Sequence, residues 1–210
     1  MDTVDGRNPQ QVADFAQDIF ENCLRQEKET QPACDYMSKT QKDIHEKMRS
    51  ILVDWLVDVH YKFKLVPETL YLTVNLIDRY LEKEEVSRQN LQLVGVTAML
   101  IASKYEEIYA PIVKDFVYIT DNAYSKEEIL HMEMKMLHTL DFEVNYTSSF
   151  RFLERFIKVG KVDAILHHLS RYFLELSLVN YHMLKYGQSL LASAALYLAM
   201  KMAKIQSPWS

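Results

Sequence analysis

The chain has 210 residues, 49% hydrophobic and 25% charged, a balance that excludes disorder and allows one or two globular domains with sizeable cores. Only four Gly and five Pro leave few turn and hairpin signals, so the expected class is all-α, helices joined by short loops. A net charge of -5 speaks against a general affinity for nucleic acid or anionic membrane and directs the search for partners to proteins.

Residues 1–10, polar and carrying Gly6 and Pro9, read as a poorly ordered lead-in. Val12, Phe15, Ile19, Phe20 and Cys23 then keep a helical spacing to about Gln26, which predicts a helix with one apolar stripe that docks on the main body. Pro32 and the polar residues around it break the period, so 28–39 is expected to be loop. From Ile44 to about Lys64 a broad apolar face returns through Met48, Ile51, Leu52, Trp55, Leu56 and Val59. Pro67 suits the first position of the next helix, where its missing N–H costs nothing, and Leu70, Val74, Ile77 and Leu81 give that helix its stripe.

The stretch Leu91 to Glu107 is apolar on nearly every side until Ser103, which predicts a buried helix. Gly95, Ala98 and Ala102 leave one side of it almost without side chains, so neighbouring helices can come close to its backbone. Its end, Lys104, Glu106 and Glu107, must emerge into solvent or onto a partner. A short helix follows Pro111 at 112–119, and another opens with the capping box Ser125-x-x-Glu128 and runs to Leu140. The expected organisation is a lead-in and docking helix (1–43), a five-helix unit (44–142) and a second unit (143–210).

In the second unit, helices are expected at 150–159, 162–179 and 188–204, broken at Gly160 and Gly187. Its last helix repeats the 91–107 stretch: shifted by 97 positions, Gly95, Ala98, Ala102 and Lys104 land on Ala192, Ala195, Ala199 and Lys201. With three helices against five, this unit reads as an incomplete copy, and Leu190 and Leu198 are expected to lack cover.

No Gly-rich phosphate loop, Gly-x-Ser-x-Gly or His-Glu-x-x-His occurs, and the one Glu-x-x-His, Glu128 to His131, falls short of the two such pairs and two further carboxylates of a helical di-metal site. The seven His are scattered, and the neighbours Glu106 and Glu107 diverge on a helix, so they read as a solvated end before a carboxylate pair. No catalytic residue, metal or cofactor is expected. Cys23 and Cys34 form no Cys-x-x-Cys motif and suit a reducing compartment. Without a visible signal peptide, transmembrane run or lipidation motif, a cytoplasmic or nuclear location is expected. By spacing, the Met48 to Trp55 stripe reads as core first and as a partner groove second.

Taken together, MRSILVDWL from Met48, LIDRYL from Leu76, LQLVGVTAMLIASKYEE from Leu91 and DFVYITDNAYSKEEILHMEMKML from Asp115 resemble the cyclin box of mitotic cyclins. The resemblance runs from about Asn8 to Trp209, and YKFKLVPETLYLTVNLIDRYL with LQLVGVTAM is closer to B-type than to A-type cyclins. It implies two stacked cyclin-fold units and a non-catalytic regulatory subunit of a cyclin-dependent Ser/Thr kinase, acting at the G2/M transition and present in nucleus and cytoplasm. In that reading Lys104 and Glu133 are the charged pair that grips the kinase's C helix. Leu137, Phe142, Ile19 and Glu106 belong to the same kinase surface. Met48, Ile51, Leu52, Trp55, Asp58 and Gln92 form the patch that docks Arg-x-Leu segments of substrates and inhibitors, with Asp58 standing where A-type cyclins have the longer Glu. Arg49 and Asp78 are a structural pair that holds the first box helix to the second.

The Arg-x-x-Leu matches at Arg49, Arg88 and Arg171 lie in or beside predicted helices and are read as chance rather than as a destruction box. Two alternatives stay open: a transcription-type cyclin fold that binds polymerase factors or DNA, and, in another class, a helical metal hydrolase.

Overall fold

A computed structural model describes residues 12–205. The expected lead-in at 1–10 and the last residues, 206–210, lie outside this range. Ten α-helices form within it: α1 (Ala16–Glu29), α2 (Tyr36–Lys39), α3 (Glu46–Phe63), α4 (Pro67–Lys83), α5 (Leu91–Glu106), α6 (Val113–Ile119), α7 (Lys126–Thr139), α8 (Ser149–Gly160), α9 (Ala164–Val179) and α10 (Gln188–Met202). Short 3-10 turns occupy Ala13–Phe15 and Tyr181–Lys185.

The helix ends follow local chemistry. Pro67 opens α4 after an extended Val66. At α7 both halves of the predicted capping box form: the Glu128 N–H donates to Ser125 Oγ at 3.2 Å, and the Ser125 N–H to Glu128 Oε2 at 2.7 Å. Ser148 and Asp163 cap α8 and α9 by accepting from the N–H of Arg151 and Leu166.

Helix α5 is the axis of the first unit. Leu91 and every residue from Leu93 to Ser103 are buried, as the all-round apolar pattern predicts. Its small side does what the spacing implied: a Cβ added to Gly95 would stand 2.7 Å from Leu52 Cδ1, so the glycine is what lets α3 lie this close. The second unit has its own core, where Tyr71, Phe150, Phe152, Leu153, Leu174 and Leu196 meet Ala192 and Ala195 of α10.

Four local expectations need correction. The first helix begins at Ala16 rather than Val12, whose backbone is left-handed (φ 42°), and it continues to Glu29. Within the expected loop 28–39, α2 forms because Tyr36 and Met37 turn into the core. The turn Tyr181–Lys185 was not foreseen, yet Tyr181 is buried edge-on against Tyr36 at 5.2 Å. Glu107 is not a solvated end: its carboxylate accepts from the Val66 N–H (2.8 Å) and Thr69 Oγ1 (2.6 Å) and so caps α4.

The docking helix α1 lies on the second unit. Phe20 packs edge-on against Phe152 and Phe156, with centroids 5.9 and 6.3 Å apart. Glu27, buried, sits at the start of α10 and accepts from the Ser189 N–H at 2.8 Å and Ser189 Oγ at 2.9 Å, a favourable place for a carboxylate. Gln26 accepts from Thr147 Oγ1 at 3.0 Å.

Candidate functional site

Two surfaces carry the residues singled out by the sequence. The first lies at the C-terminal end of α5. Lys104 Nζ donates to both oxygens of Glu133 on α7, at 2.6 and 2.9 Å. The two partners are unequally exposed: the Lys104 side chain is 49% accessible and that of Glu133 11%. A half-exposed ammonium has a third N–H to offer and is held in one direction by a nearly buried carboxylate. An incoming helix end or carbonyl would meet a preset donor there.

Past the C-terminal ends of α5 and α7, apolar side chains are left in solvent. Phe142 is exposed and Leu137 half-buried; the Phe142 N–H donates to Leu137 O at 2.8 Å. Asp141 and Phe142 both have positive φ (53° and 59°), a turn that swings the Phe142 ring outward against His138. The strongest apolar signal was missed in the sequence: Ile108 and Tyr109, in the loop after α5, are 90% and 93% exposed. Two large apolar residues in a charged, Pro-bounded loop gave a hint, but periodicity cannot read a loop. Glu106 is also exposed; desolvation and the Glu68 charge push its carboxyl up, against the pull of Arg151 of α8. Ile19 stands on α1, in a groove it shares with Arg155 and Ile157 of α8. A partner that reaches both Ile19 and Lys104 must therefore bridge the second unit and the first.

The second surface is the outer face of α3. Met48 and Trp55 are half-buried and packed on the core, Ile51 is 60% exposed, and Asp58 is exposed one turn beyond Trp55. Gln92, half-buried, lies one turn before Gly95, which places it beside the same face. Leu52 is a correction: it is 6% exposed because it fills the notch left by Gly95, so it forms the floor of the patch and offers a partner little surface of its own.

Arg49 and Asp78 lie under this face, each with a side chain 1% exposed. The guanidinium fork donates to both carboxylate oxygens, from Nε at 2.6 Å and NH2 at 2.7 Å. Its remaining arm donates to Leu178 O of α9 at 2.9 Å, and Tyr36 donates its hydroxyl to Asp78 at 2.8 Å. Burial, followed by the Asp78 charge, pushes the Tyr36 hydroxyl far up, so it remains a donor. The pair joins α3 to α4, as expected, and beyond that expectation it ties in α2 and the second unit.

The described residues contain no group of three His, Cys, Asp or Glu side chains placed to hold a metal ion. Among them no helix is long and apolar enough to cross a membrane. His167 Nε2 meets Glu154 Oε1 at 2.9 Å and His168 Nδ1 meets Ala164 O at 2.6 Å, with the two rings 5.7 Å apart.

Comparison with known proteins joins these surfaces to a family. The N-terminal cyclin domain family matches residues 18–145 and the C-terminal cyclin domain family residues 147–210. Relatives include "G2/mitotic-specific cyclin-B" of Hydra vulgaris, 52% identical over 202 residues (96% of this chain, 55% of that one). "Cyclin-B2-1" of Oryza sativa subsp. japonica is 50% identical over 199 residues (95% and 47%). "Cyclin-A1-2" of the same rice is 47% identical over 209 residues (97% and 44%). The chain spans about half the length of these relatives. Among solved structures, a viral cyclin from herpesvirus saimiri superposes with a TM-score of 0.81 at 20% identity, over 91% of this chain and 85% of that one. Two adjoining family matches, helices that carry the cyclin-box segments and B-type relatives at half identity agree: the chain belongs to the cyclin family.

Proposed function

We propose that this chain is the non-catalytic regulatory subunit of a cyclin-dependent Ser/Thr protein kinase that acts at the G2/M transition, in nucleus and cytoplasm. The observation that carries the reading is the Lys104–Glu133 pair, half open to solvent, with Ile108 and Tyr109 exposed in the loop after α5 and Phe142 exposed past the end of α7. The names of the B-type relatives support the timing. A preset cation with an apolar surround suits the end of a helix, where unpaired carbonyls and partial negative charge gather. The kinase's C helix docks on it, and binding free energy holds that helix inward, where its Glu pairs with the phosphate-binding Lys. The subunit acts by shifting a population; chemistry stays with the kinase. Substrates and inhibitors with Arg-x-Leu segments dock separately on Met48, Ile51, Trp55 and Gln92 above Leu52, with Asp58 beside the basic residue. DNA and membrane are not partners in this reading.

The test is co-elution with candidate cyclin-dependent kinases and phosphorylation of a Ser-Pro substrate, with and without an Arg-x-Leu segment. Because Lys104 is half exposed, the pair adds at most about 1 kcal/mol to the isolated fold, and both single variants should stay folded. In the complex, removing one partner of a buried pair costs about 3–5 kcal/mol, or a few hundredfold or more in affinity. Lys104→Ala and Glu133→Ala should each lose kinase activation. Full activation by a folded double variant would refute the reading.

A further inference from the structure

Helices α1 and α8 border a groove of about 600 Å³. Its lining combines apolar side chains of both helices, Ile19 and Ile157 among them, with three cations of α8, Arg151, Arg155 and Lys158. These stand four and seven residues apart and so share one face of the helix. The carboxylate in the lining, Glu154, is met by His167 at 2.9 Å. The groove therefore offers a ligand an apolar bed and an excess of positive charge, the reverse of the chain's overall balance of -5. A ligand that suits it is short, apolar and acidic.

Such a segment lies next to the groove in the chain itself. Val12, the first described residue, is part of the lining, so the residues before it meet the rest of the molecule at this place. Met1, Asp2, Thr3, Val4 and Asp5 set two carboxylates among apolar side chains, and Gly6 and Asn8-Pro9 supply turn signals between them and Val12. We propose that residues 1–5 occupy the α1–α8 groove, with Asp2 and Asp5 against Arg151, Arg155 and Lys158, and Met1 and Val4 on the apolar lining. The expected lead-in is then a strap that fastens the docking helix to the second unit. Reach is sufficient: the residues between Asp5 and Val12 span about 20 Å when extended, whereas Arg151 and Lys158 are about 10 Å apart along the helix axis. Tethering holds the segment at an effective concentration on the order of millimolar, so ion pairs that are weak singly suffice to seat it.

Cys23, half-buried, lines the same groove, and its thiol reports whether the groove is covered. The experiment follows labelling of Cys23 by an uncharged maleimide in the full 210-residue chain, with Cys34→Ser to remove the exposed thiol. Asp2→Lys with Asp5→Lys should raise the rate about tenfold, through two lost ion pairs and the repulsion that replaces them, while circular dichroism shows the fold kept. Adding Arg151→Glu and Arg155→Glu should return the rate toward the wild-type value. Equal rates for wild type and the Asp2→Lys/Asp5→Lys variant, or a fast rate that the reversed wall fails to slow, overturn the strap. Protection that grows with protein concentration assigns the groove to a second copy and overturns it as well. Salt is a second measurement that needs no substitution in the groove. At about 1 M, where the Debye length is about 3 Å, labelling of the wild type should quicken, and an unchanged rate overturns the proposal even if the reversed wall fails to fold.

Discussion

The two units can be laid on one another residue by residue, and they differ in what covers their central helices. Helices α4 and α9 begin 97 positions apart, at Pro67 and Ala164, and so do α5 and α10, at Leu91 and Gln188. The junctions match too. Lys64 and Lys161 both close their helix in the left-handed conformation, at φ 56° and 50°, and the next residue's N–H reaches back to His60 O in one unit and Ile157 O in the other. On this frame α5 is enclosed, with α7 packed over it, whereas α10 leaves Leu190, Tyr197, Leu198 and Met202 exposed among the described residues. Among the described residues, the same backbone plan is enclosed in one unit and more exposed in the other. The second unit depends on ties from outside: Arg49 at Leu178, and Glu27 at the start of α10.

Those ties give the largest predicted effect. Arg49→Ala strands a buried Asp78 carboxylate and frees Leu178 O, which should cost about 3–5 kcal/mol and move unfolding to lower denaturant, read by denaturant titration. The counterpart of Asp78 in the second unit is Glu175, which accepts from the exposed Tyr61 hydroxyl at 3.1 Å. Glu175→Ala should cost less than about 1 kcal/mol in the same assay. Similar costs at the two positions would mean that the comparison of units is wrong.

Next in size is the small-residue side. Gly95→Ala sets a Cβ 2.7 Å from Leu52 Cδ1 and should destabilise by about 1–3 kcal/mol, because Leu52 has the packed core on its inner side. The side chain's way out is upward, into the docking patch, so Arg-x-Leu affinity should fall together with the melting temperature. The counterpart, Ala192, already carries a Cβ and is fully buried. Ala192→Gly should cost about 1 kcal/mol through helix propensity and leave peptide binding alone.

The helices were legible because their periods are long and their caps local: Ser125 with Glu128, Pro67, and the apolar run from Leu91 to Ser103 each specify an element without help from distant sequence. Tyr36 and Met37 were not legible, since what makes α2 is burial against Tyr181, 144 residues further along the chain from Met37. At the candidate site, spacing alone put Met48, Ile51, Leu52 and Trp55 in the core, and only the resemblance moved them outward. The structure divides the difference, with Leu52 inside, Ile51 outside, and Met48 and Trp55 between. Lys104 and Glu133 lie 29 residues apart on two helices, and no local pattern pairs them. Ile108 and Tyr109 escaped because exposure, not spacing, is what marks them.

The smallest effect is a pH dependence centred on His60 of the first unit. His60 is buried at the end of α3, with Nε2–H on Val66 O at 3.1 Å and a buried Nδ1 that has no protein partner. Burial lowers its pKa from the ordinary 6.5, against weaker upward pulls from the Val66 carbonyl, Glu175 and Glu107. The fold therefore favours the neutral ring, while the unfolded chain takes up the proton at the ordinary value. The stabilisation is fully present above that value and is lost as pH falls through the lower folded-state pKa. Its counterpart in the second unit, Ile157, binds no proton. His60→Gln keeps a donor for Val66 O and removes the titration, so the difference in unfolding free energy between wild type and variant should be flat above about pH 7 and should move against the wild type on acidification. Parallel profiles for the two proteins across that range would assign the acid sensitivity to groups outside the first unit's core.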